Sequence, residues 1–350
     1  MLDFLLREWL LVASASGLLL SILFLGRLPS YSPGELEVLL VLWALFICGN
    51  GLQQSGVLER MALAAGKNRR LALQWIGITF FLSMFITNDM ALIITIPLTL
   101  SLPVRRKDLL VILEIIAANA GSAFTPMGNP QNFYLYWFYH LNFLSFLKTM
   151  FPLAASFFLL LGLAGTFLFS PRKSSPASSR TNFNPQKAFL YLCALVWLFL
   201  IVIRILPPLG SLLIVGGSLA LDRKALRIDY ALLLTFFFFF GLSTNMGYLF
   251  RSHLHSGQHM FWLSVLASQL MSNVPAALLL AKFTSHWQPL LWGVNVGGFG
   301  SPVGSLANLI GYKLYLNSSH TRDKGRFTFC FLILNYLALL LAIGLYFLIR

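Results

Sequence analysis

Two short polar tripeptides interrupt long apolar segments and offer atoms that bind small ions. Thr87–Asn88–Asp89 lies inside the apolar run 71–102, and Ser272–Asn273–Val274 lies inside the run 258–286. Each contributes a hydroxyl and an amide, which donate and accept hydrogen bonds without carrying a charge. At mid-membrane depth such groups indicate a binding site, because hydrocarbon leaves polar atoms without partners.

A Pro and a Gly follow each tripeptide at a similar interval, inside a further apolar run. The first break is Thr125–Pro126–Met127–Gly128–Asn129 within 109–139, and the second is Ser301–Pro302–Val303–Gly304–Ser305 within 289–316. Pro and Gly interrupt a helix and free backbone groups that only a cavity lined by protein or water can satisfy. Each break therefore predicts one helix N-terminus, which suits an anion, and one C-terminus whose carbonyls suit Na⁺.

The candidate ligands for a solute and its coupling ion come from these four places. They are Thr87, Asn88, Asp89, Thr125, Gly128, Asn129, Ser272, Asn273, Ser301, Gly304, Ser305 and Asn308. Simpler roles exist for several of them, since Asn is common in turns and Gly provides unusual backbone torsions. Asp89 is either a proton carrier or a helix cap, because a carboxylate at that depth costs about 2.5–3.5 kcal/mol.

Other titratable residues carry weaker signals. Glu114 is predicted to be a helix-end carboxylate beside Arg105 and Arg106, with membership of a proton path as the alternative. His253, His255 and His259 are predicted to lie in a solvated loop, since matched acidic ligands are lacking. The sequence therefore predicts no metal site and no organic cofactor, with Na⁺ or H⁺ as the coupling ion.

Composition identifies the elements that must position these residues. The chain of 350 residues is 58% hydrophobic and only 10% charged, whereas a soluble domain is roughly a quarter charged. Its apolar runs are near twenty residues long, the length of a helix that crosses a bilayer. These features predict an all-α polytopic membrane protein. The net charge of +14 lies mostly in short loops, so it indicates membrane orientation and not nucleic-acid binding.

The basic loops predict which segments turn back within the membrane. Basic residues flank the run 71–102 on both sides, which predicts a re-entrant hairpin that enters and leaves at the cytoplasmic face. The flanking basic residues are Arg60, Lys67, Arg69, Arg70, Arg105, Arg106 and Lys107. The same rule makes 258–286 a second hairpin, entering from outside. The resulting map has nine crossings, a cytoplasmic N-terminus and an external C-terminus.

The chain is predicted to contain two inverted halves. An N-terminal transmembrane helix within 1–30 precedes the first half, 31–170, and a polar cytoplasmic linker, 171–187, leads to the second half, 188–350. The tripeptides and breaks recur in the same order, while the loop charges place the two halves in opposite orientations. Inverted repeats with broken helices are typical of secondary transporters.

At these residues the chain resembles the ion transporter superfamily of arsenite permeases, citrate transporters and divalent-anion/sodium symporters. The Ser-Asn-Thr hairpin signature of the symporters is similar to Thr87–Asn88–Asp89 and Ser272–Asn273–Val274, and the signatures of the broken helices resemble 125–132 and 301–308. The arsenite-permease branch is the closer match, since it also pairs Asn with Asp at the first tip and has Pro-x-Gly-Ser-Leu-Ala in the last break.

The resemblance implies a secondary transporter of a small anion, moving by an elevator-like or rocking change, in the cell inner membrane. It also implies coupling to Na⁺ or H⁺, and the symporter branch suggests a homodimer. Asp89 and Val274 stand where the symporters have Thr, so specificity for dicarboxylates and sodium does not carry over.

Two other functions remain to be compared. Na⁺/H⁺ antiport occurs in the same superfamily, and Asp89 is compatible with it. An intramembrane enzyme is disfavoured, because the chain has no HExxH motif and no Ser/His pair at a credible depth. There is also no P-loop, so we do not expect the chain itself to use ATP.

Overall fold

The described residues form α-helices joined by short turns. The computed structural model describes residues 8–65, 71–101, 106–169, 183–250, 257–319 and 323–349. The helices are α1 (Trp9–Leu25), α2 (Pro33–Gln54), α3 (Val57–Ala65), α4 (Leu71–Phe85), α5 (Asn88–Ser101), α6 (Lys107–Ser122), α7 (Pro130–Phe138), α8 (Phe143–Phe167), α9 (Pro185–Val202), α10 (Ser211–Leu221), α11 (Tyr230–Phe250), α12 (Gly257–Met271), α13 (Asn273–Leu280), α14 (Trp287–Val296), α15 (Leu306–Leu316) and α16 (Lys324–Ile349).

The expected all-α membrane fold is confirmed. Five helices are long and apolar enough to cross a bilayer, and many of their large apolar side chains face outwards; these helices are α2, α8, α9, α11 and α16. The starts of several helices are marked by capping side chains or by proline in the first turn. Ser32 and Glu35 form a reciprocal capping box at α2, and Pro occupies the first turn of α7 and α9.

Both predicted hairpin segments form pairs of packed helices, while their entry and exit at one membrane face stay predictions. The arms α4 and α5 have 15 and 14 residues, so each is only about 21–23 Å long at 1.5 Å per residue, short of the hydrocarbon core. They pack against each other around the turn at Thr87. In the second hairpin, α12 packs on α13, and a short 3-10 turn, Ala281–Phe283, ends the return arm.

The two halves pack in a crossed arrangement. Within each half, the first hairpin arm lies on the first part of the broken helix, α4 on α6 and α12 on α14. The second part of each broken helix instead packs on the return arm of the other half, α7 on α13 and α15 on α5. The outer helices cross in the same way, with α1 on α11 and α10 on α2. Neither half can therefore complete the centre alone.

Element bounds lie close to the predicted ones. The hairpins span 71–101 and 257–283, and the broken helices span 107–138 and 287–316. Helix α9 begins at Pro185, so the end of the predicted linker is helical. Several residues used for orientation lie outside the described residues, namely Lys67, Arg69, Arg70, Arg105 and most of the linker 171–187. His253 and His255 also lie outside them, whereas His259 is exposed in the first turn of α12 and not in a loop. The count of nine crossings and the orientation of the termini stay predictions.

Candidate solute- and ion-binding site

One central pocket lies where four helices begin. Both hairpin tips and both breaks contribute to its lining. The helices whose N-termini reach it are α5, α7, α13 and α15, through Asn88, Pro130, Asn273 and Leu306. Backbone N–H groups in the first turn of a helix have no partner within the helix, and the helix dipole is positive there. Four such ends directed at one space favour negative charge.

The side chains that line the pocket are uncharged, with one exception. Its polar residues are Asn88, Asp89, Asn129, Gln131, Thr235, Ser272, Asn273 and Ser305. No Lys or Arg occurs among the described residues of the lining. The only charge in this described set is the carboxylate of Asp89, which is half-buried in the first turn of α5.

Two asparagine pairs join the broken helices of the two halves. The Nδ2 of Asn119, near the end of α6, donates to the Oδ1 of Asn308 in α15 over 2.7 Å. The Nδ2 of Asn295, near the end of α14, donates to the Oδ1 of Asn132 in α7, also over 2.7 Å. All four side chains are buried or nearly so. Because Asn119 corresponds to Asn295 and Asn132 to Asn308 in the predicted repeat, the two bonds join equivalent positions of the two halves.

The same asparagines satisfy carbonyls that the breaks release. The Nδ2 of Asn132 donates to the carbonyls of Ser122 and Thr125 over 3.1 and 3.4 Å. The Nδ2 of Asn308 donates to the corresponding carbonyls of Gly298 and Ser301, both over 2.9 Å. An Asn seven residues after Thr125 or Ser301 therefore supplies the donors that the interrupted helix lacks.

Hydroxyls anchor each break to its own hairpin. Thr125 donates to the carbonyl of Met84 and accepts from the backbone N–H of Gly128 over 3.1 Å. Ser301 makes the equivalent bonds, donating to Gln269 over 3.5 Å and accepting from Gly304 over 3.0 Å. These hydroxyls shape the break and are used within the protein.

The hairpin tips differ in detail. Asn88 donates to the Oδ1 of Asn119 over 3.2 Å, and its own Oδ1 accepts from the N–H of Asp89. In the second tip, the backbone N–H of Asn273 donates to the carbonyl of Gly304 over 3.0 Å. Ser272 has a φ of 75°, which is unusual for a residue with a side chain and marks a strained turn beside the pocket.

The structure divides the twelve candidate residues into two sets. Six line the pocket: Asn88, Asp89, Asn129, Ser272, Asn273 and Ser305. The other six lie around it without lining it: Thr87, Thr125, Gly128, Ser301, Gly304 and Asn308. Their assignment as direct ligands stays a prediction, whereas the bonds of Thr125, Ser301 and Asn308 support a positioning role.

Three further residues belong to this centre. Asn119 accepts from both Asn88 and Ser305 through one oxygen, so it connects the first tip to the second break. Asn295 is its counterpart, and Gln131 lines the pocket directly. A signal was available for all three, because they stand inside the repeated motifs as polar residues of apolar runs. Which of them face the pocket depends on contacts between the halves.

Glu114 is predicted to be a helix-end carboxylate beside Arg105 and Arg106, but the structure gives it a partner on α5 instead. Its side chain is fully buried, and the hydroxyl of Thr99 in α5 donates to its Oε1 over 2.5 Å. The other oxygen, Oε2, has no hydrogen-bond partner among the described residues. The hairpin arm α5 covers α6 at this level, which removes Glu114 from water.

Comparison with known proteins agrees with this architecture. The chain is 31% identical over 332 residues to an uncharacterised transporter of Methanocaldococcus jannaschii, covering 91% of each chain. It is 33% identical over 313 residues to the inner membrane protein YbiR of Escherichia coli, covering 83% of each chain. Residues 4–297 match the model of a family described as citrate transporter. Since that match covers most of the chain, including both hairpins and the first break, the chain belongs to the citrate transporter family of membrane transporters.

Proposed function

We propose that this protein is a secondary active transporter that moves a small anion across the cytoplasmic membrane. The observation that carries the proposal is that the N-termini of four helices, two from each half, line one pocket. An anion there would receive backbone N–H groups and neutral amides in place of its hydration shell. Neutral ligands also let the anion leave again, which transport requires.

Asp89 supports coupling to a cation. Its carboxylate belongs to a residue that lines the same pocket. A carboxylate with no Lys or Arg among the described residues of the lining would repel an anion. We infer that a proton or Na⁺ neutralises Asp89 before the anion binds, so that neither solute moves efficiently alone.

Two sets of contacts bear on access to the pocket. Leu10 of α1 and Leu232 and Thr235 of α11 contribute to its lining, and all three lie near the starts of helices predicted to begin in the cytoplasm. Outside the lining, the hydroxyl of Tyr139 donates to the carbonyls of Ala281 and Thr284 over 2.8 and 2.9 Å and joins the end of α7 to the end of the second hairpin. Alternating access would require one of these sets of contacts to open.

Na⁺/H⁺ antiport is the second candidate. One observation favours it: a carboxylate lies in a membrane pocket whose described lining has no positively charged side chain. Such a carboxylate can exchange H⁺ for Na⁺ without an anion. The four helix N-termini argue the other way, because a site for cations alone does not need positive dipole ends.

Uptake into proteoliposomes distinguishes these functions. The purified protein is reconstituted, and uptake of arsenite, sulfate, phosphate, succinate and citrate is measured under imposed Na⁺ or pH gradients. An anion transporter accumulates at least one of these solutes, and the gradient of the coupling ion determines how much. Na⁺/H⁺ exchange without uptake of any solute would replace the proposal with the antiporter. Absence of both activities would contradict both candidates.

A further inference from the structure

Gln131 is a buried side chain with no hydrogen-bond partner among the described residues. It is the second residue of α7, its exposed fraction is 1%, and it lines the central pocket. Neither its Nε2 nor its Oε1 has a hydrogen-bond partner among the described residues. Buried amides nearly always have partners, so an amide without any, beside a pocket, indicates a partner that enters from outside.

The fold itself does not require an amide at this position. The positioning residues occur in both halves as similar pairs, Thr125 with Ser301 and Asn132 with Asn308. The counterpart of Gln131 in the second half is Ala307, which is fully buried in α15. A broken helix of this kind therefore forms with Ala at the equivalent place, and the amide of Gln131 is left for another role.

The asymmetry is shared with the neighbouring hairpin tip. The first half has Asp89 and Gln131, where the second half has Val274 and Ala307, and three of these four residues line the pocket. The pocket thus combines a nearly symmetric frame with an asymmetric pair of polar groups. In a symmetric frame, the residues that differ between the halves are the ones that can orient an asymmetric solute.

The chemistry of the amide restricts what it can bind. One end of the group donates hydrogen bonds and the other accepts, and this holds whichever way the amide is turned. A fully deprotonated oxyanion offers acceptors only and would leave the Oε1 without a partner. A solute with both an acceptor oxygen and an O–H group satisfies both ends.

We propose that Gln131 contacts the solute directly and selects small oxyacids that carry at least one O–H group beside their acceptor oxygens. The inference rests on the proposed transport function and identifies the class of solute. Loss of a buried hydrogen bond weakens recognition by about tenfold to a hundredfold. Discrimination of that size is expected between solutes that differ only in the O–H.

Matched pairs of solutes test the proposal at neutral pH. Phosphate keeps a proton there while sulfate, of similar size and shape, does not; malate differs from succinate by a hydroxyl, and citrate differs from tricarballylate likewise. For each pair, the KM of uptake into proteoliposomes is compared. We expect the wild-type protein to prefer the O–H-bearing member of at least one pair by about tenfold or more.

The key variant is Gln131→Met, which has a similar length but lacks the amide. We expect its preference within that pair to fall to about one, since both members then lose the same partner. A purely structural defect would instead slow uptake of both members alike and leave their KM ratio unchanged. Gln288→Leu, which changes an exposed glutamine at the start of α14, serves as the matched control and should keep the wild-type ratio.

The outcomes separate this inference from the transport function. If the wild-type protein takes up a solute but shows no preference within any pair, Gln131 does not select O–H groups. An unchanged preference in Gln131→Met also overturns the inference. Should that variant fail to reach the membrane, Gln131→Asn, with its amide drawn back by one methylene, must lower the ratio. Absence of all uptake would instead contradict the transport function.

Discussion

Lys282 and Glu35 form an ion pair between the second hairpin and the first turn of α2, with 2.5 Å between Nζ and Oε1. The pair is largely buried, and Lys282 also donates to the hydroxyl of Thr244 and to the carbonyl of Phe240 in α11. Glu35 in turn accepts from the N–H of Ser32 over 2.7 Å. One lysine thus connects the hairpin with both α2 and α11, next to Ala281, whose carbonyl accepts from the hydroxyl of Tyr139.

Lys282→Met is expected to destabilise the protein strongly, because it leaves the buried carboxylate of Glu35 without its cation. Breaking one partner of a buried pair costs about 3–5 kcal/mol, whereas replacing both is often tolerated. The double variant Glu35→Gln with Lys282→Met should therefore recover much of the lost thermal stability in detergent. A double variant less stable than Lys282→Met would contradict the pairing.

The asparagines of the hairpin tips are expected to be essential for uptake. Asn88→Ala removes the bond to Asn119, and Asn273→Ala removes an amide that lines the pocket. Each variant should abolish proteoliposome uptake while still inserting into the membrane. Asn317→Ala, at an exposed position after α15, is the control. Wild-type rates in both tip variants would refute the central site.

Asp89→Asn should remove the dependence of transport on the proton gradient. The amide keeps the shape of the side chain but can no longer be neutralised by a proton. If H⁺ is the coupling ion, wild-type uptake rises when the outside is more acidic, and the variant should show no such rise. Asp323→Asn, at an exposed helix start, should behave as wild type. A variant that kept the response would leave Asp89 with a capping role alone.

The reciprocal asparagine pairs predict energetic coupling between the halves. Asn119→Ala and Asn308→Ala each leave a buried polar group unpaired, at about 1–3 kcal/mol. The stability lost in the double variant should be smaller than the sum of the losses in the two single variants. The difference should be about 0.6–1.7 kcal/mol, the size of hydrogen-bond coupling between helices in membrane proteins. Thermal unfolding in detergent measures this cycle, and strictly additive losses would show that the bond contributes nothing.

Gly128→Ala is expected to disrupt the first break. A methyl group at this position would lie 2.2 Å from the backbone carbonyl oxygen of Ser122. Because that oxygen belongs to the backbone, it cannot move aside as the end of a flexible side chain could. The variant should lose both thermal stability and uptake. Gly162→Ala on α8 provides the control, since nothing lies within 4 Å of its added methyl group and Ala favours a helix by about 0.5–1 kcal/mol. Equal behaviour of the two variants would argue against a tightly packed break.

Much of the fold follows from local composition. Apolar runs identify the helices, and Pro and Gly inside them locate the breaks to within a few residues of Ser122 and Val296. The tips at Asn88 and Asn273 were found because polar residues in an apolar run need a partner. Glu114 was misjudged, since its position near a helix start does not reveal that Thr99 and the arm α5 cover it.

The sequence by itself determined the membrane class, the two hairpins, the two breaks and the polar residues at each, because these depend on the solvation of neighbouring residues. Only the tertiary structure decided which polar side chains satisfy the backbone and which face the pocket. Asn119 bonds a residue 189 positions away, and Asn295 bonds one 163 positions away. Asn132 receives a hydrogen bond from Asn295 of the other half, whereas the neighbouring Gln131 has no partner among the described residues. No local pattern contains that information.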